Sequence, residues 1–251
     1  MPRLTEMETH QIGGNFSFQG ARIESLGATE YTLVTIAIDV TGSTSRFASE
    51  LHAMLLTTIA SLKGTGSKPQ PRAENLLLRV ITFSTAVGGV NEVHGFKPLS
   101  DVAPEDYPEF RPDGLTPLCD AMYSAVGSTV DYGKQLFDAD YGVNGIIFNI
   151  TDGLDNSSTA TTGMIKDKVD QLRQDEQMES LTTILVGINA QDYQSELTSF
   201  KEEAGLDSYI DAGDVTEESL AKLGNFVSQS VSAQSQSLGT GGASQNISAT
   251  I

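Results

Sequence analysis

Residues 33–43 read LVTIAIDVTGS. Leu33 to Ile38 are apolar or β-branched and carry no charge, as a strand buried on both faces requires. The run stops at Asp39 and gives way to small hydroxyl residues and a glycine. Residues 145–153, GIIFNITDG, repeat the pattern: a buried strand to Ile150, then a polar exit at Asp152. Further strands are read at Leu76–Phe83 (LLLRVITF), Val90–Phe96, Leu181–Ile188 (LTTILVGI) and Tyr209–Asp211. Between them, apolar residues recur at helical spacing. Phe47, Leu51, Met54, Leu55, Thr58 and Leu62 mark a helix from Ser45 to about Lys63. A second helix starts at Pro117, a residue suited to a first helical position, and carries Leu118, Ala121, Met122, Ala125 and Val126 on one face. Others span Thr161–Met178, Tyr193–Glu203 and, behind a Thr216 cap with acidic first turn, Thr216 to about Val231. Strands alternating with helices predict an α/β, doubly wound, mostly parallel sheet with helices on both faces.

The domain is expected to occupy residues 31–232. Residues 1–30 are read as an N-terminal extension with a short strand hinted by Phe16, Phe18 and Ile23. Residues 233–251, rich in Ser, Gly and Gln and without charge, are expected to form a flexible tail. The segments GTGSKPQP and 101–114, the latter acidic and proline-rich, are read as surface connections.

Composition narrows the function classes. Fifteen Lys and Arg against 33 Asp and Glu give a net charge of −18. Such a surface repels nucleic-acid phosphates and anionic membranes. Cys119 is the single cysteine, so no intramolecular disulfide and no cysteine-based metal site forms, and His10, His52 and His94 lack ligand spacing. No apolar stretch reaches the length of a membrane span, and MPRLTEMETH does not read as a secretory signal, which makes cytoplasmic the expected location.

In open α/β sheets ligands bind beyond the carboxyl ends of the strands. Asp39, Thr41 and Ser43 lie past the first strand, Asp152 past GIIFNI, and Thr116 at a loop-to-helix junction between them. Alternation within DVTGS lets Asp39, Thr41 and Ser43 point the same way, with Gly42 permitting the turn. Two carboxylates and three hydroxyls make an oxygen-only set, suited to Mg2+ or Mn2+ and unsuited to zinc. Such a cation stays under-neutralised and attracts an incoming carboxylate.

These residues resemble the metal-ion-dependent adhesion site (MIDAS) of von Willebrand factor type A (vWA) domains, in an intracellular prokaryotic or phage form. DVTGS is similar to the D-x-[S/T]-x-S motif at Asp39, Thr41 and Ser43, Thr116 to the isolated threonine and Asp152 to the distal aspartate. The resemblance implies a Rossmann-like sheet of order 3-2-1-4-5-6 with one antiparallel edge strand. It also implies Ser43, Thr41 and Thr116 on the metal, with Asp39 and Asp152 direct or through water. The implied function is not enzymatic. It is an adapter that grips an acidic residue of a partner protein, such as an AAA+ ATPase or a member of a multi-protein assembly.

Two other readings stand beside it: an assembly subunit with a vestigial site, and a metal-assisted hydrolase. Against the hydrolase, no histidine, lysine or further carboxylate sits at the motif as a general base. Thr41 replaces the second acid a phosphatase of the haloacid-dehalogenase type needs, and no P-loop or G-x-S-x-G elbow is present. Cys119 reads as a small core residue, and Asp155, at the same rim, as a solvated loop residue or else as one that tunes partner charge or holds a water behind the metal. The acidic stretch with Asp101, Glu105, Asp106 and Glu109, if it flanks the metal, selects a partner with basic residues around its acidic anchor.

Overall fold

The structure is a computed structural model that describes residues 6–64, 75–175 and 178–238. Eight strands form one sheet: β1 (Met7–Gly13), β2 (Phe16–Ala21), β3 (Glu30–Asp39), β4 (Leu76–Ser84), β5 (Gly89–Pro98), β6 (Gly142–Thr151), β7 (Ser180–Gly187) and β8 (Ser208–Asp211). Five helices accompany them: α1 (Ala48–Leu62), α2 (Leu118–Asp138), α3 (Thr162–Asp175), α4 (Gln194–Glu203) and α5 (Glu217–Leu238). The sheet order is β1-β2-β5-β4-β3-β6-β7-β8. Strands β3, β4, β6, β7 and β8 run parallel, and β5 is antiparallel to β4.

Strand β3 lies at the centre because LVTIAI carries no charge and its one hydroxyl, on Thr35, is bonded inside to Thr129 Oγ1 at 3.1 Å. Its alternate residues feed two cores. Leu33 and Ala37 pack with α2, α3 and α4 on one face; Val34, Ile36 and Ile38 pack with α1 and α5 on the other. Each fully buried aliphatic side chain contributes about 1.5–3 kcal/mol. A basic side chain is buried with them. Arg79 of β4 lies under α2, paired to Glu92 of β5 at 2.7 Å and to Ser124 Oγ at 3.2 Å. Glu92 also accepts the Gln19 backbone N–H at 2.9 Å.

The last six strands have the order expected from the resemblance, with β5 as its antiparallel member. The hairpin β1–β2 extends the sheet past β5, with β2 parallel to β5 through the pair Gly20–Phe96. Strand β1, METHQIG, is not anticipated in the sequence reading: only Met7 and Ile12 are large and apolar, too few for a visible alternation. The available signal was the Gly14-Asn15 pair linking Gly13 to Phe16, a two-residue hairpin connection. Two close approaches seat the hairpin. A side chain at Gly95 would meet Gln19 O at 1.9 Å, and one at Gly20 would meet the Tyr132 ring at 2.7 Å.

Three boundaries differ from expectation. A 3-10 turn, Gly42–Phe47, precedes α1, and α2 starts at Leu118 with Pro117 just outside it. Helix α5 continues seven residues past Val231 because its polar end is engaged: Asn144 Nδ2 donates to Gln234 O at 2.7 Å, and Gln234 Nε2 to Ser180 Oγ at 2.5 Å. The tail from 239 onward and most of GTGSKPQP lie outside the described residues.

Candidate metal centre

The chain leaves β3 toward β4 on one side of the sheet and reaches β6 on the other, so the ends of β3 and β6 form the crevice where strand order reverses. Asp39 and Thr151 are the last residues of these neighbours. Thr151 Oγ1 donates to Asp39 Oδ2 at 2.7 Å, and the Thr41 backbone N–H to Asp39 Oδ1 at 2.9 Å. Both carboxylate oxygens thus have fixed directions. The 3-10 turn then brings Ser43 back over the crevice. Thr41 Oγ1 and Ser43 Oγ lie 3.0 Å apart, and Ser43 Oγ donates to Asp152 Oδ1 at 2.7 Å.

A second loop closes against this turn. Asp113 N–H donates to Val40 O and Gly42 N–H to Gly114 O, both at 3.1 Å. The tight approach falls at Gly114 rather than at Gly42. Gly114 has φ +80°, and a side chain there would meet Thr85 Oγ1 at 2.6 Å and Ala86 N at 2.8 Å. At Gly42 a side chain would find ordinary contact, 3.6 Å from Gly114 O, so the glycine is not forced by the turn.

Thr116 is held from a third loop, residues 152–160. Its N–H donates to Asn156 Oδ1 at 2.7 Å, and Asn156 N–H returns to Thr116 O at 3.0 Å. The same loop satisfies the first N–H groups of α2: Cys119 N–H donates to Asp155 Oδ1 at 3.1 Å and Asp120 N–H to Ser158 Oγ at 3.0 Å. Asp120 Oδ1 in return accepts from Thr159 and Ala160 N–H at 2.9 and 2.7 Å. Asp155 is therefore a helix-capping residue, where the sequence reading makes it a solvated loop residue. Cys119 is buried as expected, and burial pushes its thiol up to about 12, outside nucleophile range.

Hydrogen bonds link Asp39 to Thr151 and to the Thr41 N–H, and Thr41 to Ser43 to Asp152, while the backbone of Thr116 is bonded to Asn156 on the loop that follows Asp152. Asp39, Thr41, Thr116 and Asp152 are buried and Ser43 is exposed, so the cluster opens to solvent at one point. Burial pushes the Asp39 carboxyl up to about 6; donors from Thr41 and Thr151 oppose the rise and the Asp152 charge adds to it. Burial also raises Asp152, against the pull of Ser43 and Arg46. Two carboxylates forced together out of water favour a neutralising cation.

The donor set fits one. Oxygens of an octahedral Mg2+ site lie about 2.1 Å from the ion, hence about 3 Å from each other. The Thr41–Ser43 and Ser43–Asp152 separations, 3.0 and 2.7 Å, are hydrogen-bond lengths that neighbouring ligands of such an ion could also adopt. Among the described residues no group of three or more His, Cys, Asp or Glu gathers, so the candidate site rests on two carboxylates and hydroxyl oxygens. Thr151 and Asn156 are the site residues the sequence reading passes over. The signal for Thr151 was a hydroxyl at the polar exit of a buried strand; Asn156 carries none in a polar loop.

No protein-family model matches the chain, and no curated protein matches it. Solved structures do. The vWF domain of the type V pili tip protein Mfa5 from Porphyromonas gingivalis aligns at TM-score 0.52 and 9% identity, over 89% of this chain and 99% of that one. The pilus adhesin SpaC from Lactobacillus rhamnosus GG aligns at TM-score 0.56 and 11% identity, over 91% of this chain and 34% of its own. Proximal thread matrix protein 1 from the mussel byssus, in a structure with a zinc-occupied MIDAS motif, aligns at TM-score 0.51 and 12% identity, over 81% of this chain and 46% of its own. The chain thus spans less than half of the byssal protein and about a third of the adhesin. With the sheet order and the β3–β6 crevice, these likenesses make the fold that of a von Willebrand factor type A domain.

Proposed function

We propose that the protein is a metal-dependent protein-binding module in which Asp39, Thr41, Ser43, Thr116 and Asp152 hold Mg2+ or Mn2+. The observation that carries this is the run of oxygens from Thr41 through Ser43 to Asp152 beside a buried Asp39. When bound, the cation supplies a free position that takes a carboxylate oxygen from a partner's Asp or Glu. The chain's own residues set the aim: Thr151 and the Thr41 N–H orient Asp39, Ser43 orients Asp152, and Asn156 holds Thr116 by its backbone.

Binding is favoured over catalysis. The histidines are engaged elsewhere: His52 with Tyr107 O, His94 with Tyr107 OH, and His10 stacked on Phe18. That leaves no imidazole base at the crevice. Among the described residues no helix is long and apolar enough to cross a membrane. Three structural neighbours are named as a pilus adhesin, a pili tip protein and a thread matrix protein, which favours an assembly or adhesion partner over an AAA+ ATPase.

The test is calorimetric titration of EDTA-treated protein with Mg2+ and Mn2+, repeated with added acetate. Saturable binding that disappears in Asp39→Ala and tightens with acetate is expected. Equal heats in wild type and Asp39→Ala would sink the proposal.

A further inference from the structure

Beside the crevice runs a groove of about 530 Å3 between the β4–β5 connection and the segment after β5. Its floor includes Val40, whose chain neighbours are Asp39 and Thr41. Its walls include Val87 and Val93 on one side and Tyr107 and Phe110 on the other. Val87 is 39% exposed, and Phe110 packs against the His52 ring at 5.3 Å, which holds it in place. The Asp113–Val40 hydrogen bond at 3.1 Å ties the second wall to the metal loop. The groove therefore adjoins the metal loop at Val40.

Charge gives this surface a direction. Residues 101–113 hold five acidic side chains (Asp101, Glu105, Asp106, Glu109 and Asp113) against Arg111. Lys97 pairs with Asp106 at 2.6 Å, whereas Glu105 and Glu109 are exposed and form no ion pair among the described residues. Glu109 lines the groove together with Arg111, and Glu105 lies on the same acidic segment outside it. In a chain of net charge −18, the complement beyond a single acidic anchor is basic.

We infer that the groove is a specificity surface for an extended segment of a partner protein. The segment carries a carboxylate for the metal, a bulky apolar side chain for the groove a few residues away, and a basic residue beyond it facing Glu109 and Glu105. This rests on the metal-dependent reading and names the partner chemistry of that same site. An extended chain advances about 3.3 Å per residue, and successive side chains alternate faces. Anchor and apolar residue are thus expected at a spacing of two or four.

The probes are fluorescein-labelled nonapeptides in a Gly-Ser background, followed by fluorescence polarisation in Mg2+ and in EDTA. One series has a single Glu; a second adds Leu at each position in turn; a third adds Arg beyond the best Leu. The expected result is at least tenfold tighter binding for the best Leu peptide than for Glu alone, in Mg2+ only. Arg should add a severalfold gain at 50 mM salt that fades at 500 mM. Val87→Glu should erase the Leu preference while leaving Mg2+ titration and thermal unfolding as in wild type, and Phe110→Ala should erase it with Mg2+ titration unchanged and a lower melting temperature.

Mg2+-dependent binding of all Glu peptides without a Leu preference overturns the groove assignment and leaves the metal reading standing. A Leu preference that persists in EDTA, or that survives both variants, overturns it too. Tighter binding from Asp in place of Arg overturns the basic flank. Absence of Mg2+ heat in the wild type overturns the metal reading, and the groove assignment with it.

Discussion

At the scale of single residues, the crevice depends on atoms that would never touch the metal. Thr151→Val keeps the shape of a fully buried side chain and removes the donor to Asp39 Oδ2. A buried acceptor left without its donor costs about 1–3 kcal/mol. Metal-free Thr151→Val is expected to lose stability in that range by denaturant titration, and to bind Mg2+ several-fold more weakly; unchanged affinity would show that Asp39 needs no orienting. Gly114→Ala meets two obstacles at once, a left-handed φ and contacts under 3 Å. Its melting temperature should fall by several degrees, more than for Gly42→Ala, where there is room. The reverse order of the two melting temperatures would contradict this placement of the tight approach.

At the scale of elements, the parts visible in the sequence are those where burial is continuous. LVTIAI and GIIFNI sit at the centre of the sheet and read as strands from composition alone. Asp39, Thr41, Ser43 and Asp152 are visible because they interrupt or follow such strands. The hairpin β1–β2 and the loop carrying Asn156 are less visible, since their stability comes from partners distant in sequence: Tyr132 for Gly20, Gln19 for Gly95, Thr116 for Asn156. The Arg79–Glu92 pair belongs to this class. Burial lowers the Arg79 pKa and Glu92 opposes the fall, while the same Glu92 holds the Gln19 N–H of β2. Removing one partner of a buried pair costs about 3–5 kcal/mol, whereas replacing both with apolar residues is often close to neutral. Glu92→Ala is therefore expected to destabilise strongly and to expose the hairpin to proteolysis. Arg79→Met with Glu92→Met should recover much of the loss; a double variant no better than Glu92→Ala would show that the charge is not what matters.

At the scale of the whole molecule, two buried groups give stability opposite pH slopes. Burial depresses His94 from 6.5 to about 4, with a backbone hydrogen bond to Gly95 opposing the fall and the Lys97 charge adding to it. The unfolded chain takes up this proton at higher pH than the folded one does. The neutral ring's contribution is therefore full above about 6.5 and is lost as pH falls toward about 4, by about 1.4 kcal/mol for each pH unit crossed. Asp39, raised to about 6, works the other way: the folded metal-free protein gains stability as pH falls from about 6 toward the ordinary carboxyl range. The wild type's stability advantage over His94→Gln should thus shrink by about 2–3 kcal/mol between pH 7 and pH 4. A constant difference across that range would place the His94 ring in solvent contact.

The order of strands in the sheet also governs synthesis. Strand β3 pairs with β6, Ile38 beside Ile150, so the central pair joins residues 112 positions apart. A ribosome has long since released LVTIAI into the cytosol or channel before GIIFNITDG is translated. During that interval the most apolar strand of the protein has only one of its two neighbours, β4, available to it. Nascent chains stalled before residue 152 lack the distal aspartate, and so cannot display the assembled crevice to any partner. Any recruitment through the crevice, as proposed, would thereby be confined to chains whose sheet centre is already complete.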